Sequence, residues 1–328
     1  AMNDQHFKAL GLPLPDISLG VGSGSHAVQT AEIMRRFEPV VDEVAPGAVL
    51  VVGDVNSTLA CALVAAKKGV PVFHVEAGLR SFDRTMPEEV NRVLTDQLAE
   101  LLFTTEAQAA GNLAREGIPA QRVHFVGNVM IDSVLRNLPR AIPVSQTLRG
   151  RACPSTYAVL TLHRPSNVDD PATLRKLLRT IAAIADLVPV VFPVHPRTRA
   201  RIEATGSREL LANPNVHDLP PLDYLAMLGL LREATCVLTD SGGIQEETTA
   251  LGIPCLTLRD NTERPITVEQ GSNTVVGVDH ARILASVSEI LATGGKSGRT
   301  PERWDGCAAD RIASVVAHWL ERRQRRVA

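Results

Sequence analysis

Short runs rich in Val, Leu and Phe recur along this chain, at residues 49–54, 70–75, 101–105 and 123–127. Runs of this kind suit parallel strands covered on both faces, because a strand with one wet face alternates apolar and polar residues instead. Between them, residues 57–68 and 87–100 carry helical patterns, so strand and helix alternate in the βαβ rhythm of a doubly wound sheet. Residues 138–155 interrupt the rhythm with Pro139, Pro143, Gly150 and Pro154 and read as a linker. The rhythm restarts at 157–162, 188–194, Cys236–Thr239 and 254–258. The expected architecture is α/β, with two Rossmann-like domains at 1–145 and 146–328 and the last helix packing back on the first domain. In such folds a ligand lies at the carboxyl ends of the strands, here expected in the central cleft between the halves.

The 328 residues leave room for two domains of ordinary size. A net charge of −2 excludes the global basic field that recruits nucleic acid. No apolar run nears the roughly 20 residues of a membrane helix, and residues 1–10 carry no signal-peptide pattern, so a cytoplasmic protein is expected. Cys61, Cys153, Cys236, Cys255 and Cys307 are scattered without a C-x-x-C pair and read as reduced core residues, with neither a disulfide framework nor a metal site. Arg322, Arg323, Arg325 and Arg326 read as a solvated helix end that complements its dipole. Residue 1 is Ala, and residues 2–10 read as the end of a helix, so a preceding segment is expected.

Polar residues that can do chemistry follow these strands. Asp54 ends Val-Val-Gly-Asp, Glu76 follows Phe-His-Val, His163 ends Leu-Thr-Leu-His and Asp240 ends Val-Leu-Thr-Asp. Any one of them could be a helix cap, but four at the same edge of two sheets point to a site. At Asp240 to Glu247, Gly242 and Gly243 let backbone approach an anion, and Ser241 offers a hydroxyl and an N–H at a helix start whose dipole favours negative charge. Glu247 lies on that helix, where a carboxylate can accept from ribose hydroxyls. Arg264, in the loop after the next strand, could reach the same phosphates. Asp54, Glu76, Glu88 and Glu89 with His163 form an acid–base set whose grouping would push their pKa values apart. Glu88 and Glu89 could instead be first-turn charges behind Pro87. Gly20, Gly22 and Gly24 resemble a dinucleotide loop only superficially, since Ser25 stands at the third glycine, and a flexible loop into a helix from Ala27 is expected there.

Taken in order, Gly53-Asp54, His74 to Arg80, Pro87 to Arg92, Leu162 to Pro165, Pro193 to His195, Asp240 to Glu247 and Thr262 to Pro265 resemble the non-hydrolysing UDP-N-acetylglucosamine 2-epimerase family. The resemblance spans roughly residues 2–290. It implies a GT-B-like fold and interconversion of UDP-GlcNAc and UDP-ManNAc without a cofactor or metal. The implied course is anti elimination of UDP to 2-acetamidoglucal, followed by readdition. Asp54, Glu76 and Glu88 match the family's catalytic carboxylates, and His163 its catalytic histidine. Ser241, Gly242 and Gly243 match the diphosphate turn, Glu247 the ribose contact and Arg264 a phosphate-side cation. Arg164 and His195 match positions near the substrate or near a second, activating UDP-GlcNAc. A homodimer in cell-surface polysaccharide biosynthesis, with no nucleic-acid or membrane partner, is implied as well. Two departures stand out. Nothing matches the family's opening strand and Gly-Thr-Arg-Pro-Glu, so the N-terminal domain is expected to lack its first strand or strands. Pro165 also stands where the family often has a second arginine. The other readings open to the sequence are an epimerase of a modified UDP-HexNAc, a hydrolysing 2-epimerase, a GT-B glycosyltransferase and a non-catalytic nucleotide-sugar binder.

Overall fold

Structure is described for residues 7, 10–150 and 154–327, with side chains to residue 325, in a computed structural model. Cys153, the Arg326 side chain and most of the helix end expected at 2–10 lie outside the described residues. The chain forms two compact units. One comprises Pro15–Asp132 together with the chain from Glu302 onward, and is called the amino-side unit below. The other comprises Ser133–Pro301 together with the chain up to Leu14, and is the carboxyl-side unit.

The amino-side unit holds four parallel strands, β1 (Val49–Val52), β2 (Val72–Ala77), β3 (Leu101–Thr104) and β4 (Val123–Phe125), laid side by side in chain order. One face packs Val51, Val72 and Leu102 against Ala62 and Ala65 of the helix Asn56–Lys67. The other packs Phe73, Val75, Leu101 and Phe103 against Ile312 and Trp319 of the helix Ala308–Val327. Trp319 meets Phe73 edge-on at 4.9 Å, a favoured aromatic geometry, and its Nε1 donates to Glu100 Oε1 at 2.8 Å. Asp132 receives this helix: its carboxylate accepts from Ala308 N at 3.1 Å and Ala309 N at 2.7 Å, two of the donors that a helix start leaves unpaired.

The returning chain passes close to Gly127, whose φ is +93° and where a Cβ would lie 2.0 Å from Arg303 O. Gly127→Ala therefore combines backbone strain with a backbone clash, and we expect it to cost about 3 kcal/mol or more. Both tryptophans, Trp304 and Trp319, lie in this unit, so a urea titration followed by their fluorescence measures the loss directly.

The carboxyl-side unit holds six parallel strands: β5 (Ala158–Thr161), β6 (Val190–Pro193), β7 (Val216–Leu219), β8 (Cys236–Thr239), β9 (Cys255–Thr257) and β10 (Asn273–Val275). Their spatial order is β10-β9-β8-β5-β6-β7. This is the doubly wound order 3-2-1-4-5-6, with the direction of winding reversing between β5 and β8. The central strands β5 and β8 are buried except for the half-buried Thr161 at the end of β5, as unbroken apolar runs require. The edge strands β7 and β10 escape a search for apolar runs because His217, Asp218 and Asn273 occupy them.

Residues 138–150 of the expected linker are no free linker in this structure. They contain the helix Val144–Thr147, and Val144 and Leu148 are buried against Tyr157 and Leu230. Pro and Gly mark breaks in regular structure, but the apolar pair at i and i+4 between them marks a packed turn. Ile142 donates to Leu225 O at 3.0 Å, and Gly229 lies so near that a Cβ would sit 1.8 Å from Ile142 O.

Cys236 and Cys255 are buried as expected, which pushes both thiols up to about 12. Cys61 is half-buried with its thiol pushed up to about 11, while Cys307 is exposed and belongs to no core. Cys307 stands just before the helix Ala308–Val327, in a segment that contains the exposed Glu302, Arg303 and Asp305. At the far end of that helix Arg323 is tethered as well as solvated. Its Nη1 donates to Gly47 O at 3.0 Å and its guanidinium lies 5.1 Å from the Trp319 ring centre. Among the described residues no helix is long and apolar enough to cross a membrane.

Candidate active site

The sequence-derived residues gather at the carboxyl ends of strands, in one constellation per unit. In the carboxyl-side unit the centre is Asp240, fully buried at the end of β8 next to the switch in winding. Its carboxylate accepts from His163 N at 3.0 Å, Arg164 N at 2.9 Å and Asn167 Nδ2 at 3.1 Å. His163 Nδ1 lies 2.7 Å from Asp240 Oδ1. Burial works against the charged carboxylate, but the bonds from His163 and these N–H groups outweigh it and hold Asp240 below the usual range. Asp240 is thus no helix cap. It fixes the His163 ring by Nδ1, leaving Nε2 for a ligand, and the side chain is 39% exposed. The His195 ring centre is 5.9 Å from that of His163, and His195 Nδ1 accepts from Arg197 N at 3.2 Å. Partial burial, then His163 and Arg197, press the His195 pKa below its ordinary value. Both rings line a hollow of about 280 Å³ with Thr161, Met227, Ser241 and Ile244.

From Asp240 the chain turns through Ser241 into the helix Gly242–Leu251. The Ser241 N–H is already taken, donating to Thr239 Oγ1 at 3.0 Å. What faces an anion is therefore the hydroxyl and the Gly242 and Gly243 N–H groups, which have no partner inside the helix. A Cβ on Gly242 would lie 2.6 Å from Glu263 Oε1. That carboxylate cannot retreat easily, since it is buried and bonded to Arg164 at 3.1 Å and Arg259 at 2.7 Å. Burial raises its pKa, but Arg259 and Arg264 pull it down to about 2. Gly242→Ala should therefore destabilise the protein by about 1–3 kcal/mol, read as a shift in the urea midpoint followed by circular dichroism.

Arg264 is buried, not solvated, with Nε 2.9 Å from Glu246 Oε1. Gln245 ties its loop to the helix by accepting from Thr262 Oγ1 at 2.6 Å and Asn273 Nδ2 at 3.1 Å. Glu247 is 6% exposed and accepts from the Tyr224 hydroxyl, and burial pushes its carboxyl up to about 7. Sequence reading passed over Asn167, Tyr224, Gln245, Arg259 and Glu263. Asn167 and Glu263 lie within five residues of expected site residues, but nothing in local pattern marks a buried partner.

In the amino-side unit Gly53 and Glu76 end β1 and β2 with φ of +71° and +73°. A left-handed non-glycine residue is strained, and Glu76 holds that conformation near Gly53. Its Oε2 lies 3.8 Å from where a Gly53 Cβ would be. Asp54 Oδ2 is 2.6 Å from Arg92 Nη2, and Asn91 Nδ2 donates to Asp54 O at 2.8 Å. Glu88 stands half-buried in the first turn of the helix Pro87–Leu98. Glu89 differs from it, being buried and bonded to Ser81, Phe82 and Arg92.

Beneath these residues lies a buried ionic chain. His74 Nδ1 is 2.6 Å from Asp96 Oδ1 and its Nε2 is 2.8 Å from Gly53 O, so the ring supports the turn that carries Asp54. Arg80 joins Asp96 Oδ2 at 2.6 Å to Glu116. Burial opposes both charges, yet each partner wins for the other: His74 is raised and Asp96 lowered. The pair therefore stabilises the fold below the ordinary histidine pKa and loses that contribution as pH rises through the raised value. On the acid side its contribution is lost as pH falls through the lowered Asp96 value. Asp96→Ala should cost about 3–5 kcal/mol, because it leaves the buried His74 without its carboxylate and Arg80 with Glu116 alone, and the loss should shrink in alkaline urea titrations. Among the described residues no group of three or more His, Cys, Asp and Glu is placed to hold a metal.

Comparison with known proteins bears on this geometry. Residues 1–317 match the family model described as UDP-N-acetylglucosamine 2-epimerase. The chain is 42% identical over 296 residues to the UDP-N-acetylglucosamine 2-epimerase of Methanococcus maripaludis, covering 88% of this chain and 81% of the relative. It is 40% identical over 322 residues to the UDP-2,3-diacetamido-2,3-dideoxy-D-glucuronate 2-epimerase of Pseudomonas aeruginosa, covering 96% and 87%. The crystal structure of Methanocaldococcus jannaschii UDP-GlcNAc 2-epimerase in complex with UDP-GlcNAc and UDP matches with a TM-score of 0.88 at 40% identity, covering 95% of this chain and 87% of that one. The α/β class and the two Rossmann-like units read from the apolar runs accord with these neighbours. The chain belongs to the UDP-N-acetylglucosamine 2-epimerase family.

Proposed function

We propose that the protein interconverts UDP-GlcNAc and UDP-ManNAc by inverting C2, through anti elimination of UDP to 2-acetamidoglucal and readdition on the other face. The observation that carries this reading is the Asp240-pinned His163 beside the Ser241–Gly242 helix start, where β5 and β8 reverse the winding. The chemistry asks for these residue types. A weakly acidic C2–H needs positioned bases, and departing UDP needs cationic and backbone donors. In this reading Asp54, Glu76, Glu88 and His163 carry proton transfer. Ser241, Gly242, Gly243 and Arg264 hold the diphosphate and Glu247 the ribose, with Arg164 and His195 nearby. Orientation of His163 by a buried carboxylate supports a proton-transfer role at Nε2, since Nδ1 is engaged. The solved relative's complex with UDP-GlcNAc and UDP supports the nucleotide assignment.

The Pseudomonas aeruginosa relative favours a second reading, a 2-epimerase of a diacetamido UDP-uronate. Incubation with each UDP-sugar in D2O separates them. Deuterium at C2 of both epimers identifies the substrate, and free ManNAc with UDP marks hydrolysis instead. Absence of exchange with either sugar in a folded sample would sink the epimerase reading.

A further inference from the structure

We infer that Glu89 is a positioning residue that holds the Arg92 guanidinium against Asp54 and pins the loop after β2 with the same carboxylate. The side chain is 2% exposed, on the helix face it shares with Arg92 at i and i+3. Oε2 accepts from Arg92 Nη1 at 3.0 Å, Ser81 N at 2.9 Å and Ser81 Oγ at 3.1 Å, and Oε1 accepts from Phe82 N at 3.0 Å. Arg92 is buried too, and its other terminal nitrogen reaches Asp54 Oδ2 at 2.6 Å. Carboxylate, guanidinium and carboxylate thus form a line that ends on Asp54, whose side chain is still 21% exposed.

The loop shows what the clamp sustains. Phe82 has φ +59° and a ring 72% exposed, a strained residue gaining no burial in return. Two bonds from one buried carboxylate, to Ser81 N and Phe82 N, over-determine that conformation. A loop staple alone would need only acceptors for two N–H groups, which a neutral amide partly supplies. The negative charge is needed by Arg92, which otherwise sits buried with Asp54 as its one charge partner among the described residues.

The kinetic part of this inference rests on the proposed epimerisation, so the test carries a readout free of activity. In protein with 15N-labelled arginine, Arg92 should give slowly rotating, resolved Nη signals, assigned by their disappearance in Arg92→Lys. Glu89→Gln should collapse them, while Ser81→Ala, which removes only a loop contact, should leave them. C2 exchange of UDP-GlcNAc in Glu89→Gln should fall in kcat about 10- to 100-fold with KM within about twofold. In an Arg92→Lys background the same change should add little, because the effect travels through Arg92. If Glu89→Gln does not fold, Glu89→Asp keeps the charge one methylene short and should release Arg92 in the same way. Unaltered Arg92 signals, or losses that add fully in the double variant, would overturn the assignment. A wild type that shows no exchange defeats the epimerase reading, and the arginine signals then decide this one alone.

Discussion

His163→Ala or Glu76→Gln should lower deuterium exchange at C2 by about 10²- to 10⁴-fold while UDP binding stays within about threefold. The two substituted residues belong to different sheets. His163 follows β5 and is held by Asp240, so its removal deletes the ring without touching the carboxylate that organises Arg164 and Asn167. Glu76 ends β2 in a strained conformation, and Gln keeps its shape while removing its charge. The Ser241 turn, proposed to hold the diphosphate, belongs to the other unit from Glu76, which is why UDP affinity should survive that change. Exchange at the wild-type rate in either variant would remove that residue from the proton path. Isothermal titration with UDP tells a lost base from a lost binding site.

Glu247→Gln should stabilise the ligand-free protein by about 3 kcal/mol at pH 8 and by much less at pH 5. The carboxyl is buried and raised from 4.5 to about 7, a rise equivalent to about 3 kcal/mol. Between those two values the folded protein holds a proton that the unfolded chain has released. Stability is therefore lost progressively as pH climbs from about 4.5 to 7, and the full penalty stands above that. The amide never ionises, so its advantage appears over the same window. Urea titrations at pH 5, 6.5 and 8 would trace it, and an equal gain at all three would show that burial of charge is not the cause. The variant should also bind UDP more weakly if Glu247 accepts from the ribose. A group that costs stability when empty and contributes affinity when filled is a common bargain at binding sites.

Much of this fold can be read from residue pattern because buried parallel strands consist almost entirely of apolar residues. Eight strands announce themselves as Val- and Leu-rich runs, and the polar residue after each lands at a carboxyl end, where ligands of such sheets bind. Asp54, Glu76, His163 and Asp240 were found by that rule. It is blind to β7 and β10, where edge positions tolerate His217, Asp218 and Asn273. It is equally blind to partners brought in from a distance. His74 and Asp96 lie 22 residues apart, and Arg164 and Glu263 lie 99 apart. Their charges look like ordinary surface until folding places them in the interior. The stretch from 138 to 150 deceives in the opposite sense, since Pro and Gly disguise a packed turn at residues 144–148.

The chain leaves the amino-side unit at Asp132 and comes back at Glu302, so that unit is discontinuous in sequence. During synthesis, the strands of both sheets emerge before the helix that covers Phe73, Phe103 and their neighbours. The amino-side sheet must wait with one apolar face open until the helix Ala308–Val327 clears the ribosome, whereas Ser133–Pro301 can fold as soon as it appears. Order of birth therefore favours completing the carboxyl-side unit first, and premature termination near residue 305 would leave the amino-side unit as the aggregation-prone species.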